Sequence, residues 1–122
     1  MRTLYCLALH HGRKYVGETP VHRFNRRLEE HIRFAGAKWT HRHGFRKLLW
    51  KREVPDNEIT QAENDATLKL MRAEGLNAVR GGDFVICRDV RRIPAWALKM
   101  YHEHAEEIYE AEARRLQRES GN

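Results

Sequence analysis

Two short strands that lead directly into a basic helix are the feature of this sequence that most restricts its fold. Residues 3–9 are mostly apolar and contain neither glycine nor proline, so they predict a buried strand. Residues 10–13 predict a turn in which Gly12 has a positive φ. Residues 14–17 predict a second strand, and the segment as a whole is therefore expected to be a hairpin.

Each strand of this hairpin carries one tyrosine. Tyr5 and Tyr15 lie on one face of the sheet if the register pairs Leu9 with Tyr15, whereas a shift by one residue separates them. The sequence leaves that register open. A tyrosine in a strand commonly packs its ring and hydrogen-bonds its hydroxyl. Two converging hydroxyls could instead accept a proton and position a water molecule beside a phosphate.

A basic helix is expected immediately after the hairpin. Thr19 and Pro20 look like an N-cap followed by proline at the first helical position, and Gly36 is the expected end. The helix is predicted over residues 21–34. Its apolar stripe, at close to helical spacing, consists of Val21, Phe24, Leu28 and Ile32.

Arg27 and His31 are four residues apart and therefore lie on one side of this helix. Both flank its apolar stripe, close to the expected sheet. They are compatible with a surface arginine and a half-buried histidine that have no further role. Beside two tyrosines, however, an arginine at the edge of the core suggests a clamp on phosphate oxygens, which its planar guanidinium fits well.

The middle of the chain predicts one more strand and one more helix. Residues 36–44 indicate a basic loop or a short helical turn, and residues 45–54 a third strand. A helix over residues 58–74 follows, with Gly75 as its C-terminal cap. Its core stripe is predicted to consist of Ile59, Ala62, Ala66, Leu70 and Ala73.

The C-terminal part predicts a turn over residues 79–82, a short strand or extended arm over 83–87, and a long helix that starts at Pro94. The apolar face of this helix fades after Tyr109, which predicts a solvated or frayed end. That face consists of Trp96, Ala97, Met100, Tyr101, Ala105 and Ile108.

The order of these elements, β-β-α-β-α-α, indicates the α+β class because strands precede and interrupt the helices without strict alternation. We expect a central three-stranded antiparallel sheet flanked by helices. A main domain is expected over residues 1–87, with a C-terminal helical extension over residues 88–122 packed on the same domain.

Glu63 is a carboxylate within the apolar face of the helix predicted over residues 58–74. It lies between Ile59 and Ala66 when the helix is viewed along its axis. Burying it without a partner would be costly, so it should meet an arginine, a metal ion or an open cleft. A salt bridge and a metal site are equally compatible with the sequence. A divalent cation such as Mg²⁺ would be held by one carboxylate together with waters and phosphate oxygens.

The charge balance favours an anionic partner. The net charge is +6 with the eight histidines neutral, and the isoelectric point is near 9.7. Nucleic acid is the simplest such partner, although a charge that only promotes solubility is also compatible. Cys6 and Cys87 form no C-x-x-C pair, which favours a reduced, cytoplasmic protein. We expect no membrane helix and no signal peptide, since no stretch approaches the roughly 20 apolar residues that a membrane span needs.

The motifs of residues 3–85 resemble, in their order and spacing, the GIY-YIG nuclease superfamily. Leu4-Tyr5-Cys6 stands where the family has Gly-Ile-Tyr, without its Gly and Ile, and Tyr15-Val16-Gly17 nearly matches Tyr-Ile-Gly. Arg27-x-x-x-His31 is similar to the arginine and histidine of the family's first helix. Glu18, by contrast, follows the second motif where many members have a basic or neutral residue.

Three further positions carry the same resemblance. Glu63 is similar to the family's metal-binding glutamate, and Asn77 to the asparagine that supports the site. The segment 36–40, Gly-Ala-Lys-Trp-Thr, is similar to the family's Gly-x-x-aromatic-Thr loop.

The resemblance implies a metal-dependent endonuclease that hydrolyses phosphodiester bonds, most simply in DNA, with one Mg²⁺ or Mn²⁺ ion. It implies Tyr15 as the general base, Tyr5 as the group that orients water or phosphate, and Gly17 as a supporting residue. Arg27 would stabilise charge on the phosphate, and His31 would assist. Glu63 would hold the metal opposite the leaving oxygen.

Basic residues outside these motifs predict a groove for the nucleic acid backbone. Trp39 could stack on a base, although such a tryptophan is more often part of a core. Arg80 and the two glycines after it could hold a phosphate against backbone amides, or could form only a tight turn. The predicted nucleic-acid-binding residues are Lys38, Trp39, Arg42, Arg46 and Arg80.

Three other readings stay open. His41 and His43, with His31 and a cysteine, could form a zinc site, but their spacing matches no standard finger. A catalytically inactive nucleic-acid-binding module of the same fold is the main alternative to a nuclease. An interaction protein assembled through its last helix is disfavoured because no heptad pattern is sustained. We expect sequence or structure specificity to come from loops, a homodimer or a targeting partner.

Overall fold

A four-stranded sheet in the order β3-β1-β2-β4 organises the fold. The computed structural model describes residues 1–33, 38–82 and 95–120 of the chain. The strands are β1 (Arg2–Leu9), β2 (Lys14–Pro20), β3 (Phe45–Val54) and β4 (Val79–Gly81), and the helices are α1 (Phe24–Ile32), α2 (Lys38–His43), α3 (Ile59–Glu74), α4 (Ala95–Glu103) and α5 (Ala105–Ser120). The predicted α+β class is confirmed at this level.

The hairpin of β1 and β2 places both tyrosines on one face of the sheet. Tyr5 pairs with Gly17, and Leu7 pairs with Tyr15. The expected partner of Tyr15, Leu9, is therefore wrong by two residues, but a shift of two leaves each side chain on its original face. Gly12 has the predicted positive φ, at 68°.

The sheet has a fourth strand that the sequence did not predict. Val79–Gly81 pairs in parallel with Lys14–Val16 of β2, so the predicted turn over residues 79–82 is wrong, and so is the expectation of a purely antiparallel three-stranded sheet. Gly81 permits the close approach, since a Cβ there would lie 2.6 Å from both the Val16 carbonyl oxygen and Thr67 Oγ1. A glycine that would mark a turn by itself therefore serves here to bring two strands together.

The first helix is shorter than predicted and is rotated relative to its expected stripe. Thr19 and Pro20 do not cap it, because both continue β2 opposite β1. A 3₁₀ turn follows, and α1 starts at Phe24. Val21 and Ile32 are 38% and 48% exposed, so they are not core residues as predicted. The buried positions of α1 are Phe24 and His31, seven residues apart.

The α3 helix confirms the predicted helix over residues 58–74 but buries a different set of side chains. Gly75 ends it as expected, with φ at 111° and its N–H bonded to the Met71 carbonyl. Ala73 is exposed, and the other predicted alanines are only half-buried. The helix packs against both the sheet and α5, so it buries the residues of a wider arc: Ile59, Asn64, Thr67, Leu68 and Met71.

The C-terminal helix is divided in two, and much of its second part is packed. The break is at His104, between α4 and α5. Ile108 and Ala111 of α5 are buried, and Arg115 is only 7% exposed. The buried face therefore extends past Tyr109 as far as Arg115, which has carboxylate partners on its own helix. Residues 116–120 are exposed, in line with the predicted solvated end.

Several predicted features lie outside the described residues. These are the helix end at Gly36, the arm over residues 83–87, and Pro94 with the start of its helix; the side chains of Lys38, Trp96 and Ala97 lie outside them as well. Among the described residues, no helix is both long and apolar enough to cross a membrane.

Two separate clusters of side chains cover the two faces of the sheet. Alternate residues of β1 point to opposite faces. Leu4 and Cys6 join a core beneath α3 and α5, with Val16, Met71 and Ile108. The other face carries a second, more aromatic cluster of Tyr5, Leu7, Leu9, Tyr15 and Phe24, with Trp39 and Leu28 packed against it. The candidate site is on this second face.

Candidate active site

The two tyrosines and His31 form a buried cluster between the hairpin and α1. The Tyr5 hydroxyl is 2.9 Å from His31 Nε2. The ring centroids of Tyr15 and His31 are 5.3 Å apart, and those of the two tyrosines 6.3 Å apart. Tyr5 is 1% exposed, Tyr15 8% and His31 0%. The structure brings together all the residues predicted to be catalytic. These are Tyr5, Tyr15, Arg27 and His31.

Gly17 provides the space in which the two tyrosine rings meet. It faces Tyr5 across the hairpin. A Cβ at this position would lie 2.6 Å from Tyr5 Cζ and 2.7 Å from Tyr15 Cε2. Any larger residue would therefore displace both rings. Gly17 was predicted to support the site, and in the structure its lack of a side chain leaves room for the two rings.

His31 is held in its neutral form. Burial lowers the pKa of His31 to about 4, and the nearby charge of Arg27 lowers it further. Its Nε2 is bonded to Tyr5, whereas its Nδ1 is buried and has no hydrogen-bond partner among the described residues. A neutral imidazole can either accept the Tyr5 proton or donate its own, depending on the tautomer. The bond between them therefore joins two uncharged groups.

Both tyrosines hold their protons more tightly than an exposed tyrosine does. Burial raises the pKa of Tyr5 and, to a smaller extent, the pKa of Tyr15. The negative charge of Glu63 raises the pKa of Tyr15 further, and the Arg27 guanidinium acts in the opposite direction on both hydroxyls. Either hydroxyl would need additional positive charge close by to act as a base at neutral pH.

Arg27 is the cation of this site. Its side chain is 32% exposed, and its Nη1 donates to Glu30 Oε2 at 2.9 Å on the same helix. Burial lowers the pKa of Arg27, while the hydrogen bond to Glu30 raises it, and the net shift is upward. The guanidinium therefore remains charged, with donors available on the side of the tyrosine hydroxyls.

Glu63 lies on α3, whose buried residues pack on the other face of the sheet, and it influences the site through its charge. The residue is half-buried, and its charge is felt at both tyrosine hydroxyls and at Arg2. A Cβ on Gly82 would lie 3.4 Å from Glu63 Cγ, so this glutamate lies beside the residue that follows β4. No group of three or more His, Cys, Asp or Glu side chains suitable for a metal occurs in the described part of the chain. A single carboxylate fits Mg²⁺ when waters and substrate phosphate complete the shell.

Asn77 contacts residues other than the tyrosines. Its backbone N–H and its Nδ2 donate to the two carboxylate oxygens of Glu112 at 3.1 Å. Its Oδ1 accepts from Arg80 Nη2 at 3.2 Å. The bonds to Glu112 join the 3₁₀ turn Leu76–Ala78, just before β4, to α5. The supporting role predicted for Asn77 stays a prediction, and its visible contacts support the packing of α5.

A buried polar residue that sequence reasoning missed is Asn64. It is 0% exposed and lies next to Glu63 on α3. A side chain on Gly82 would collide with the Asn64 Oδ1. A polar residue within a helix that packs on the core is the only signal the sequence offers for Asn64. Its position in the sequence does not show whether its side chain faces inward.

The predicted nucleic-acid-binding residues differ in their surroundings. Trp39 is half-buried, donates from Nε1 to the Lys14 carbonyl at 2.9 Å, and lies 4.5 Å below the Arg80 guanidinium, so its ring serves as packing. Arg80 also donates to the carbonyls of Leu76 and Val79. Arg42 and Arg46 are exposed, and the Lys38 side chain lies outside the described residues.

The described residues give no support to a zinc site, and Cys87, one of the two possible cysteine ligands, lies outside them. His31 is bonded to Tyr5, and His43 packs against Trp39 with ring centroids 4.3 Å apart. Cys6 is buried in the core on the opposite face of the sheet, where burial raises the pKa of its thiol to about 12. A thiol that keeps its proton is a poor metal ligand.

Comparison with protein-family models, with curated proteins and with solved structures finds no match in any of the three. The resemblance of the sequence motifs to those of GIY-YIG nucleases therefore stays a prediction.

Proposed function

We propose that this protein is a metal-dependent endonuclease that hydrolyses phosphodiester bonds, most simply in DNA, and that it is similar in mechanism to the GIY-YIG nucleases. The observation that carries the proposal is the buried group of Tyr5, His31 and Tyr15, with Arg27 and Glu63 beside it. Buried ionisable groups with shifted pKa values that converge on one place are typical of catalytic sites.

In this proposal Tyr15 first releases its hydroxyl proton to solvent, and its phenolate then accepts a proton from the attacking water. Because burial and Glu63 raise the pKa of Tyr15, its hydroxyl must be assisted by positive charge when substrate is bound. Arg27 supplies part of that charge, and a divalent ion at Glu63 would neutralise the phosphate and stabilise the leaving oxygen. Tyr5, held by His31, orients the water or the phosphate.

Arg27 would bind the phosphate with the donors that face the tyrosine hydroxyls. It is bound to Glu30 in this structure. A phosphate that reaches the tyrosines would accept hydrogen bonds from the guanidinium, whose planar donors fit two phosphate oxygens at once. Such stabilisation of developing charge is often the largest single contribution to catalysis.

A second candidate function, an inactive nucleic-acid-binding module of the same fold, is favoured by one observation. Burial raises the pKa of both tyrosines, so neither is ready to act as a base without further charge. In that case the cluster would be a structural core that retains the basic surface of the fold.

Cleavage of supercoiled plasmid and of branched DNA, with Mg²⁺ or Mn²⁺, distinguishes the two. The informative variant is Glu63→Gln, which removes the carboxylate charge and keeps the shape of the side chain. The matched control is Asp65→Asn on the same helix, at an exposed position whose Oδ1 accepts from Gln61. Binding to the same DNA is measured in EDTA for each protein.

Metal-dependent nicking by the wild type and by Asp65→Asn, with loss of nicking but not of binding in Glu63→Gln, is the expected result. A wild type that binds DNA and never nicks it, with either metal, would overturn the endonuclease proposal for these substrates. Equal nicking by Glu63→Gln and Asp65→Asn would overturn the metal role of Glu63.

A further inference from the structure

Basic side chains gather at the end of the hairpin, around Trp39. The hairpin-end cluster consists of Arg13, Arg42, His43 and Arg80. Arg80 lies over the Trp39 ring at 4.5 Å, and His43 packs against the same ring. The Trp39 indole is tied to the Lys14 carbonyl, one residue from Arg13. The ring therefore holds three chain segments together at one place.

Two nitrogen atoms of this cluster are buried without hydrogen-bond partners among the described residues. They are Nε of Arg13 and Nε2 of His43. The Arg13 Nη1 does have partners, since it donates to the His11 carbonyl at 2.9 Å and to Glu119 at 3.1 Å. Leaving a buried donor without an acceptor costs about 1–3 kcal/mol, and more for a charged group. An acceptor brought by a ligand would remove that cost.

The cluster also has more positive than negative charge. Arg13 pairs with Glu119, which also pairs with Arg115 and is 50% exposed. Neither Arg42 nor Arg80 makes an ion pair with a carboxylate of the described residues. Burial lowers the pKa of His43, and so do the charges of Arg13, Arg42, His11 and Arg80, in that order. The cations thus lie close enough to repel one another, which an anion would relieve.

We infer that the hairpin-end cluster binds a backbone phosphate of the nucleic acid substrate, through Arg13 Nε and His43 Nε2 as donors. The inference rests on the proposed function, and it names a second contact for the same substrate. Arg13 precedes Tyr15 by two residues in extended backbone, about 7 Å along the strand direction. Arg80 pairs with Tyr15 across β4 and β2, and Trp39 packs against the tyrosines, so a nucleic acid strand at the tyrosines also passes the cluster. Arg80 contributes charge, since its donors are bound within the protein.

The test is equilibrium binding of a fluorescent DNA duplex in EDTA, where no metal-dependent cleavage occurs, over a range of salt concentrations. The variants are Arg13→Gln, Arg13→Lys, which keeps the charge but lacks Nε, and the exposed Arg42→Gln. The control is Arg114→Gln, an equal change of charge at an exposed position of α5. Thermal unfolding identifies variants that fail to fold, and inorganic phosphate is used as a competitor.

We expect Arg13→Gln to weaken binding about tenfold, in line with the loss of one charge-assisted hydrogen bond, and to lower the salt slope by about 1. Arg13→Lys should recover the salt slope but only part of the affinity. Arg42→Gln should weaken binding by a smaller factor, and Arg114→Gln should bind as the wild type does.

If folded Arg13→Gln and Arg42→Gln bind DNA as tightly as Arg114→Gln does, the proposed phosphate contact at the cluster is overturned, even if the wild type cleaves DNA. A wild type that never cleaves DNA with metal, yet loses affinity on Arg13→Gln, would overturn hydrolysis and support the cluster. If inorganic phosphate displaces the duplex at a concentration equal to that of the phosphate groups in the duplex, the cluster is a site for free phosphate. That result would overturn the inference that it binds nucleic acid.

Discussion

The hydroxyl of Tyr5 lies 2.9 Å from Nε2 of His31. This bond joins β1, an inner strand of the sheet, to α1 across 26 positions of sequence. Both side chains are almost wholly buried. Because His31 is neutral, the bond links two uncharged groups in an apolar cluster. The same contact that orders the candidate site thus also holds the helix on the sheet.

Replacing Tyr5 by phenylalanine should destabilise the protein. His31 Nε2 would lose its partner while remaining buried, which costs about 1–3 kcal/mol. The control is Tyr109→Phe, since Tyr109 is 55% exposed and a surface change should stay within about 0.5 kcal/mol. Urea unfolding of both variants measures the difference. Equal free energies of unfolding for the two variants would show that the Tyr5–His31 bond contributes nothing to stability.

Stability should fall on acidification as His31 becomes protonated. Burial lowers the pKa of folded His31 to about 4, against 6.5 for an ordinary histidine, so the unfolded chain binds more protons between these values. The free energy of unfolding therefore falls as pH decreases from 6.5 to 4, by about 3 kcal/mol at about 1.4 kcal/mol per pKa unit. Comparing urea unfolding at several pH values with His31→Gln isolates this contribution. The exposed His22, replaced in the same way, should leave the pH dependence unchanged.

The hairpin, β3 and α3 were predictable because their signals are local. A run of apolar residues, a glycine in a turn and Gly75 at the end of a helix act within a few positions of sequence. That Arg27 and His31 lie on one side of a helix followed from their spacing. The choice of these residues as a candidate site came from the family resemblance.

The errors arose where distant parts of the chain decide the structure. Whether Val79–Gly81 is a strand depends on α3, which returns the chain alongside β2. The burial of Arg115 depends on two carboxylates that neutralise it, so its polarity misleads when α5 is read by itself. The helix face of α1 was misjudged because its inward residue is a histidine bonded to a tyrosine of another element. Such pairings cannot be read from one segment.

Adding one methyl group at Gly17 should disrupt the site. A Cβ there would collide with both tyrosine rings, and overpacking of this kind costs about 1–3 kcal/mol. We expect Gly17→Ala to lose the proposed nuclease activity and to change the near-ultraviolet circular dichroism of the tyrosines. Gly12→Ala is the control, because it has no atom within 4 Å of the new Cβ and is strained only by its φ of +68°. An unchanged spectrum and activity in Gly17→Ala would contradict the packing described for the two rings.

Removing the Tyr15 hydroxyl should abolish most of the chemistry while leaving DNA binding intact. A positioned general base contributes about 10²–10⁴-fold to rate, so Tyr15→Phe should lower kcat by that factor. The wild-type rate should also increase with pH above neutrality, because burial and Glu63 raise the pKa of Tyr15. Single-turnover cleavage at saturating protein measures both effects. If Tyr15→Phe keeps the wild-type rate and pH profile, the general base is a group other than Tyr15.

Replacing Glu112 should destabilise the protein, because this residue links α5 to the turn before β4. Its carboxylate accepts two hydrogen bonds from Asn77 and pairs with Arg115, so Glu112→Ala leaves several donors unpartnered at a mostly buried place. We expect a loss of about 2–4 kcal/mol in the free energy of unfolding. Glu110→Ala, at an exposed position of the same helix, should stay within about 0.5 kcal/mol. Matching values for the two variants would mean that Glu112 contributes nothing to holding α5 on the fold.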